Sequence, residues 1–342
     1  MSNAGDCDPR PSPAFRYNRR MLSEFALIQH YFTRPAPANG RVALGIGDDC
    51  ALLQPDAGMQ LAVSTDMLVE GRHFFAGADP ARLGHKCLAV NLSDLAAMGA
   101  TPFAFTLALA LPSSDPAWLE GFSSGLLALA ARHDCPLVGG DTTRGPLTIS
   151  ITVFGQTTPG KALRRDGARP GDDIWVSGSL GGARVALAAL RGENLAPLDA
   201  SQLADARNRL ECPQPQIALG LALRGIASAA IDLSDGLTGD LGHILARSCC
   251  GATVAVDTLP TCAALRTQSQ ALQHAWSLAG GDDYELCFTT PPAMRDAVAT
   301  AAARAGTVVT RIGMIDAAPG LRLHAHDGAD IAAPASFDHF QA

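Results

Sequence analysis

The sequence predicts a mixed α/β protein (α/β or α+β in class) built from two domains. Three observations carry that reading. Apolar residues fill 47% of 342 positions, enough for more than one packed core. Segments with a two-residue apolar period alternate with segments of helical period. The apolar pattern also lapses once, at "ALRRDGARPGDD" (162–173), which places a domain boundary within 156–172. The expected parts are an arm over 1–21, an N-terminal domain over 22–156 and a C-terminal domain over 157–342.

The arm carries Pro9, Pro11 and Pro13 and the pair Arg19 and Arg20, with no apolar period. Ser23 can cap a short amphipathic helix, "SEFALIQHYF". A Pro/Gly loop leads to a strand around "RVALGI". "QLAVST" (60–65) is a β-branched run that ends at Asp66. "GHKCLAVNLSDLAAMGA" (84–100) has helical periodicity and stops at Gly99. "FTLALAL" reads as a strand, "PAWLEGFSSGLLALAARH" as a helix, "CPLVGG" as a strand into a glycine loop, and "LTISITVFGQ" as a strand. Past the boundary, "IWVSGSLGGARVALAAL" is a strand, a glycine turn and a helix. A polar stretch with prolines runs to about 216. Then follow the strand "SAAIDLSDG", the helix "LTGDLGHILARS", the strand "ATVAVD", the strand opened by "GGDDYELCFT", the helix "PAMRDAVATAAARA" and the strand "VVTRIGMI". Both halves repeat one device: strand, Gly/Ser/Asp turn, helix.

Net charge is −7 and no basic block occurs, which argues against nucleic acid as the main partner. Nine cysteines without a C-x-x-C pair suit reduced thiols in a cytoplasmic protein. No apolar run approaches membrane-spanning length.

Acidic turns recur: "GIGDDCALL" (45–53), "VGGDTTRG" (138–145), "IDLSDGLTGD" (231–240) and "GGDDYELCF" (280–288). Glycine lets the backbone turn tightly and lets a ligand approach. Repeated carboxylates at strand ends suit hard cations such as Mg2+, which take oxygen ligands and bridge to phosphates. The candidates are Asp48, Asp49, Asp66, Asp94, Asp141, Asp232, Asp235, Asp282 and Asp283. Each alone can equally be a turn or cap residue. Asp94 is the most informative. It lies beside Asn91 on the edge of a stripe formed by Leu88, Leu92 and Leu95, so it leans toward a core and needs a partner or a metal.

"RPGDDIWVSG" (169–178) reads as a turn before a strand. "GQTTPGKA" (155–162) nearly matches a phosphate-binding loop. It fails because Ala162 offers no hydroxyl and no helix start follows. Lys161, Arg164 and Arg165 form a small basic cluster, either exposed linker charges or a clamp on nucleotide phosphates. His73, one short loop beyond Asp66, is either packed or functional. Motifs of zinc and serine hydrolases are missing from the sequence.

Taken together, "GIGDDCALL", "VSTDMLVEGRHF", "KCLAVNLSDLAAMGATP", "GGDTTRGPL", "RRDGARPGDD", "IDLSDGLTGDLGHI", "GGDDYELCF" and the terminal "FDHF" resemble the thiamine-monophosphate kinase family. That family belongs to the superfamily of aminoimidazole-ribotide synthetase and selenophosphate synthetase. The stretches run in family order over about residues 22–340. The resemblance implies ATP-dependent phosphorylation of thiamine monophosphate to thiamine diphosphate, in a homodimer. Its N-terminal sheets would pair into a barrel, with a C-terminal α/β domain packed on each. Carried over by motif, Asp49, Ser64, Thr65, Asp66, Asp94, Asp141, Asp232 and Asp235 would ligate several Mg2+ ions. Gly140, Asp141, Arg165 and Ser234 would lie along the nucleotide. His73, Asp283 and Phe337 would contact the thiamine end. No residue is assigned as a general base. The family often has Gly-Glu-Asp where this chain has Gly281-Asp282-Asp283. That leaves open which acid meets the cationic thiazolium, beside the ring of Tyr284.

Overall fold

The structure, a computed structural model, describes residues 23–34 and 40–337. The expected arm over 1–21 and the last residues of "FDHF" lie outside the described residues. Ser23 caps α1 (Glu24–Leu27), its hydroxyl accepting from Ala26 N, and a π-helical turn follows over Ile28–Phe32. β1 (Val42–Leu44) and β2 (Leu52–Leu53) pair as a small hairpin. β3 (Gln60–Val69) runs on through Asp66 rather than ending there.

α2 (Pro80–Ala97) starts earlier than its apolar period suggested, because Asp79 caps it and Pro80 takes the first helical position. It ends as read: Gly99 sits just past the helix at φ +58. β4 (Thr101–Leu111), α3 (Pro116–Arg132), β5 (Leu137–Arg144) and β6 (Thr148–Thr157) complete the first half. The expected glycine loop at 139–140 is instead strand, since β5 continues to Arg144 alongside β4. The sheet order is β3-β6-β4-β5, antiparallel except for the β4–β5 pair.

The second half opens with β7 (Asp173–Ser177) and α4 (Gly182–Arg191). The polar stretch before 216 contains α5 (Ala200–Glu211), and α6 (Ile217–Ala222) follows it. Then come β8 (Ala229–Asp232), α7 (Leu237–Ser248), β9 (Gly251–Ala255), α8 (Ala263–Arg266), α9 (Gln270–Ala279), β10 (Leu286–Thr290), α10 (Arg295–Ala305), β11 (Val309–Asp316) and β12 (Gly320–His324). Six strands order as β12-β9-β11-β7-β10-β8.

α2 is the hub. Leu88, Leu92 and Leu95 are fully buried in a core that takes in Ile149, Ile151 and Val153 of the first sheet and Ala230, Leu286 and Phe288 of the second. Its other neighbours come unusually close. A Cβ on Gly84 would lie 2.1 Å from the Phe122 carbonyl oxygen, and one on Gly125 would lie 1.8 Å from that of Ala81. Gly125→Ala should therefore cost about 1–3 kcal/mol by forcing α2 and α3 apart. Gly242, on α7 with no atom within 4 Å of an added Cβ, is the contrast. Gly242→Ala should stabilise by up to about 1 kcal/mol through helix propensity. Denaturant midpoints at equal m-values read both; a shared sign would refute the packing argument.

The "RPGDD" acids are structural, as read, yet more buried than turn residues usually are. Asp173, 1% exposed, binds Arg295 (2.6 and 2.8 Å) and Arg311 (2.6 Å), and these two guanidinium groups hold its carboxyl below the usual range. Asp172 accepts from Ser228 Oγ at 2.6 Å and Arg169 N at 3.0 Å. The phosphate-loop look-alike is a turn, with Lys161 N donating to the Thr158 carbonyl and no helix after it.

Candidate functional site

Alternation along β3 puts Ser64 and Asp66 on the side facing α2. Ser64 Oγ donates to Asp94 Oδ2 at 2.5 Å. Asn91, fully buried, accepts from Asp66 N at 3.1 Å and donates to the Cys87 carbonyl at 2.9 Å. On the next face of the helix, Ser93 Oγ donates to Asp232 Oδ2 at 2.7 Å, and Asp232 ends β8. Strand, helix and second sheet thus each supply one aspartate to a common seam. A cleft of about 400 Å3 opens there, lined among others by Ser64, Asp94, Asp232, Arg164, Arg165 and Arg247.

Burial, and then the Asp94 charge, push the Asp66 carboxyl up to about 7. Burial and the Asp94 charge likewise push Asp232 up to about 7. Burial raises Asp94 too, while the Ser64 hydroxyl and the Arg165 guanidinium pull it back. Three carboxylates in one poorly solvated seam form a site short of positive charge. Within the basic cluster the roles separate: Arg164 is held by Asp166 at 2.9 and 2.5 Å, Lys161 is exposed, and Arg165 faces Asp94 across the cleft.

Other predicted residues lie elsewhere. Thr65 points to the opposite face of the sheet, where its Oγ1 meets Thr152 Oγ1 at 2.8 Å. Asp141 pairs in register with Ala108 and through it with Ser150 and Met67, so it shares that opposite face and is exposed. Gly140 is required by packing: at φ +147 an added Cβ would lie 1.8 Å from the Leu107 carbonyl oxygen. Asp49 lies in an exposed turn, its N–H donating to Asp48 Oδ1 at 2.9 Å.

A second group gathers around the turn between β8 and α7. Buried Asp240 caps it, Oδ2 accepting from Asp235 N and Gly236 N at 3.1 Å each. The Ser234 carbonyl accepts from Asp282 N at 2.8 Å, and the Asp235 carbonyl from Phe337 N at 3.4 Å. The chain's last described residue therefore lies beside this turn, 48% exposed. The acid pair divides. Both oxygens of Asp283 accept from Gly181 N, at 3.0 Å, ahead of α4, and burial pushes its carboxyl up to about 8. Asp282 is 35% exposed and bonds Lys86 Nζ and the Tyr284 hydroxyl, each at 3.1 Å. His73 Nδ1 accepts from Val69 N at 3.0 Å, which leaves the ring proton on Nε2.

Sequence reasoning missed Lys86, Ser93, Asp240 and Arg247. Ser93 sits within the "NLSD" stretch already singled out, and the helical period places it one turn from Val90, toward the second sheet. Among the described residues, no three Asp, Glu, His or Cys side chains already enclose a metal site. The donors Ser64, Asp66, Asp94 and Asp232 are nevertheless all oxygen and acid-rich. They fit a hard divalent cation that completes its shell with a ligand's oxygens. Among the described residues, no helix is long and apolar enough to cross a membrane.

The chain is similar over most of its length to proteins of one family. The AIR synthase related protein N-terminal domain matches residues 47–157, and the corresponding C-terminal domain matches residues 169–326. Thiamine-monophosphate kinase of Salmonella typhimurium is 50% identical over 300 residues, covering 86% of this chain and 90% of that one. The crystal structure of thiamine-monophosphate kinase from Stenotrophomonas maltophilia superposes with a TM-score of 0.80 at 49% identity, covering 86% of this chain and 93% of the other. AaThiL complexed with AMPPCP and TMP superposes at 0.73 with 29% identity, over 84% and 89% of the two chains. By sequence and by fold, this chain belongs to the thiamine-monophosphate kinase family of the AIR synthase related proteins.

Proposed function

We propose that this protein transfers the γ-phosphoryl group of ATP to the phosphate of thiamine monophosphate, giving thiamine diphosphate and ADP. The observation that carries the reading is the seam where Asp66, Asp94 and Asp232 meet across the two halves, with Arg165 on its rim. Asp66, Asp94, Asp232 and Ser64 would hold Mg2+, with Asp49, Thr65, Asp141 and Asp235 joining as the nucleotide and a second subunit complete the site. Bound Mg2+ supplies positive charge between two phosphate-bearing substrates. Gly140 and Asp141 border the nucleotide, Arg165 pairs with its phosphates, and Ser234 closes the turn beneath. His73, Phe337 and the acid pair define the acceptor end. Of that pair, the geometry favours Asp282 for the thiazolium, because Asp283 spends both oxygens on the Gly181 amide inside the protein. The boundary within 156–172 would divide a nucleotide-binding, dimerising half from the half that completes the site.

An ADP-release assay run with and without thiamine monophosphate tests the activity. Release that does not depend on the acceptor would refute it.

The dimer reading rests on β3. It is an edge strand, and it exposes Leu61 (48%), Val63 (58%) and Met67 (57%) on the face away from α2. Light scattering at micromolar concentration should give twice the chain mass, and Val63→Asp should shift it to monomer. A monomeric parent protein would contradict the reading.

A further inference from the structure

Lys86 is 5% exposed, the single charged side chain buried among the described residues of the first half. It lies two helical turns before Ser93 on α2, so the two share a face. That face makes both polar bonds described above to the second half: Ser93 to Asp232 at 2.7 Å and Lys86 to Asp282 at 3.1 Å. One surface of one helix therefore grips one acid from each of the two groups of site residues.

The segment that Lys86 grips is held in an unfavourable backbone shape. Asp282 has φ +57 and Tyr284 has φ +50, two of four non-glycine residues with positive φ among those described. Each such conformation is costly for a residue with a side chain and persists only where its surroundings impose it. Here the surroundings are explicit. Asp282 N donates to the Ser234 carbonyl and Tyr284 N to the Leu233 carbonyl, both at 2.8 Å, while Asp283 is tied to Gly181. The Asp282 side chain is anchored as well, through one oxygen. Lys86 Nζ and the Tyr284 hydroxyl both reach Oδ1, and no partner of Oδ2 is found among the described residues.

We infer that Lys86 is a positioning residue for the acceptor: with Tyr284 it anchors Oδ1 of Asp282, so that Oδ2 is presented to the cationic ring of thiamine monophosphate. This rests on the assignment of Asp282 made above. A carboxylate held this way loses little rotational freedom when its ligand arrives. The ion pair also keeps the buried Lys86 ammonium from standing alone before the ligand arrives. Without Lys86, Asp282 can turn toward water, and part of the binding free energy goes to turning it back.

KM and kcat for both substrates in Lys86→Met, Tyr284→Phe, Asp282→Asn and the double variant Lys86→Met/Asp282→Asn test the inference. Lys86→Met should raise KM for thiamine monophosphate by about 5–20-fold, the worth of one charge-assisted contact. Its kcat and its KM for ATP should stay within about twofold. Tyr284→Phe, which keeps the ion pair, should raise the same KM by a smaller factor. The double variant should be no worse than Asp282→Asn alone, because the orienting contact is then already lost. An unmoved acceptor KM in folded Lys86→Met, or additive losses in the double variant, would overturn the inference and make Lys86 a fold residue. Should Lys86→Met not fold, an unmoved KM in Tyr284→Phe overturns it instead. If the unmodified protein releases no ADP with thiamine monophosphate, the proposed function fails and the inference fails with it. A normal parent enzyme with unmoved KM values sinks the inference alone.

Discussion

Asp66→Asn is expected to lower kcat/KM by about 10³-fold. The same change should raise the melting temperature of the metal-free protein at about pH 8. Both effects come from one charge. In the folded chain, burial and Asp94 lift the Asp66 carboxyl from 3.8 to about 7. The folded state then binds that proton more tightly than the unfolded state does. Stability falls as pH rises from the unfolded value, and the penalty is complete above about 7. Asparagine keeps the shape without the charge, so the gain from Asp66→Asn should be clear in chelator at about pH 8 and shrink toward about pH 5. Saturating Mg2+ should reverse the order, stabilising the parent protein more than the variant through mass action. Thermal melts with and without Mg2+ at the two pH values, run beside the kinase assay, read all of this. Near-normal turnover at low Mg2+ in folded Asp66→Asn would remove Asp66 from the cation-holding set. An unchanged melting temperature in chelator would show that the seam does not carry the strain ascribed to it.

The legible parts of this molecule were those whose cause is local. Ser23 is a cap and Gly99 a terminator because of their own chemistry, and the leucines of α2 specify its buried face. Asp94 could be placed because three leucines fix which way it leans. The failures have the opposite character. α5 was hidden by a polar, proline-flanked composition, although "DASQ" is a capping box in which Asp199 and Gln202 satisfy each other's backbone N–H. α9 has Ser269 as a similar signal. β12 is five residues long and owes its existence to pairing with β9. Asp283 could not be told from Asp282 in the sequence, since the difference is the Gly181 amide, which approaches one and not the other. Lys86 was invisible for the same reason: a lysine beside an apolar stripe usually reaches water, and its partner lies in the other half of the chain. Alternation along β3 was legible, yet Ser64, Thr65 and Asp66 were grouped by motif, and the strand divides them between two faces.

His73→Gln and His73→Asn should raise KM for thiamine monophosphate by about 10–100-fold while kcat falls by clearly less than the ~10²–10⁴-fold that losing a general base costs. The acceptor needs little help to become a nucleophile. It is a phosphate monoester with a second pKa of about 6, so at about pH 7.5 its attacking oxygen is already largely anionic. That oxygen forms the new bond to the γ-phosphorus as the bond to the ADP oxygen breaks, and no proton stands in the way. The ring of His73 agrees with this requirement. A backbone N–H can only donate, so Nδ1, bound to Val69 N at 3.0 Å, must be the unprotonated nitrogen, and Nε2 carries the hydrogen. A base needs a lone pair facing the substrate, and the lone pair of this ring faces its own main chain. What His73 can offer is an N–H, which suits holding an anionic or hydroxyl-bearing acceptor. Glutamine and asparagine retain a donor but shift its position, so binding should suffer before chemistry does. Measuring kcat and KM for both variants from about pH 6 to 9 separates the roles. A collapse of kcat at unchanged KM, with loss of a titrating limb near about pH 6–7, would make His73 the base. It would also require the Val69 contact to break during turnover.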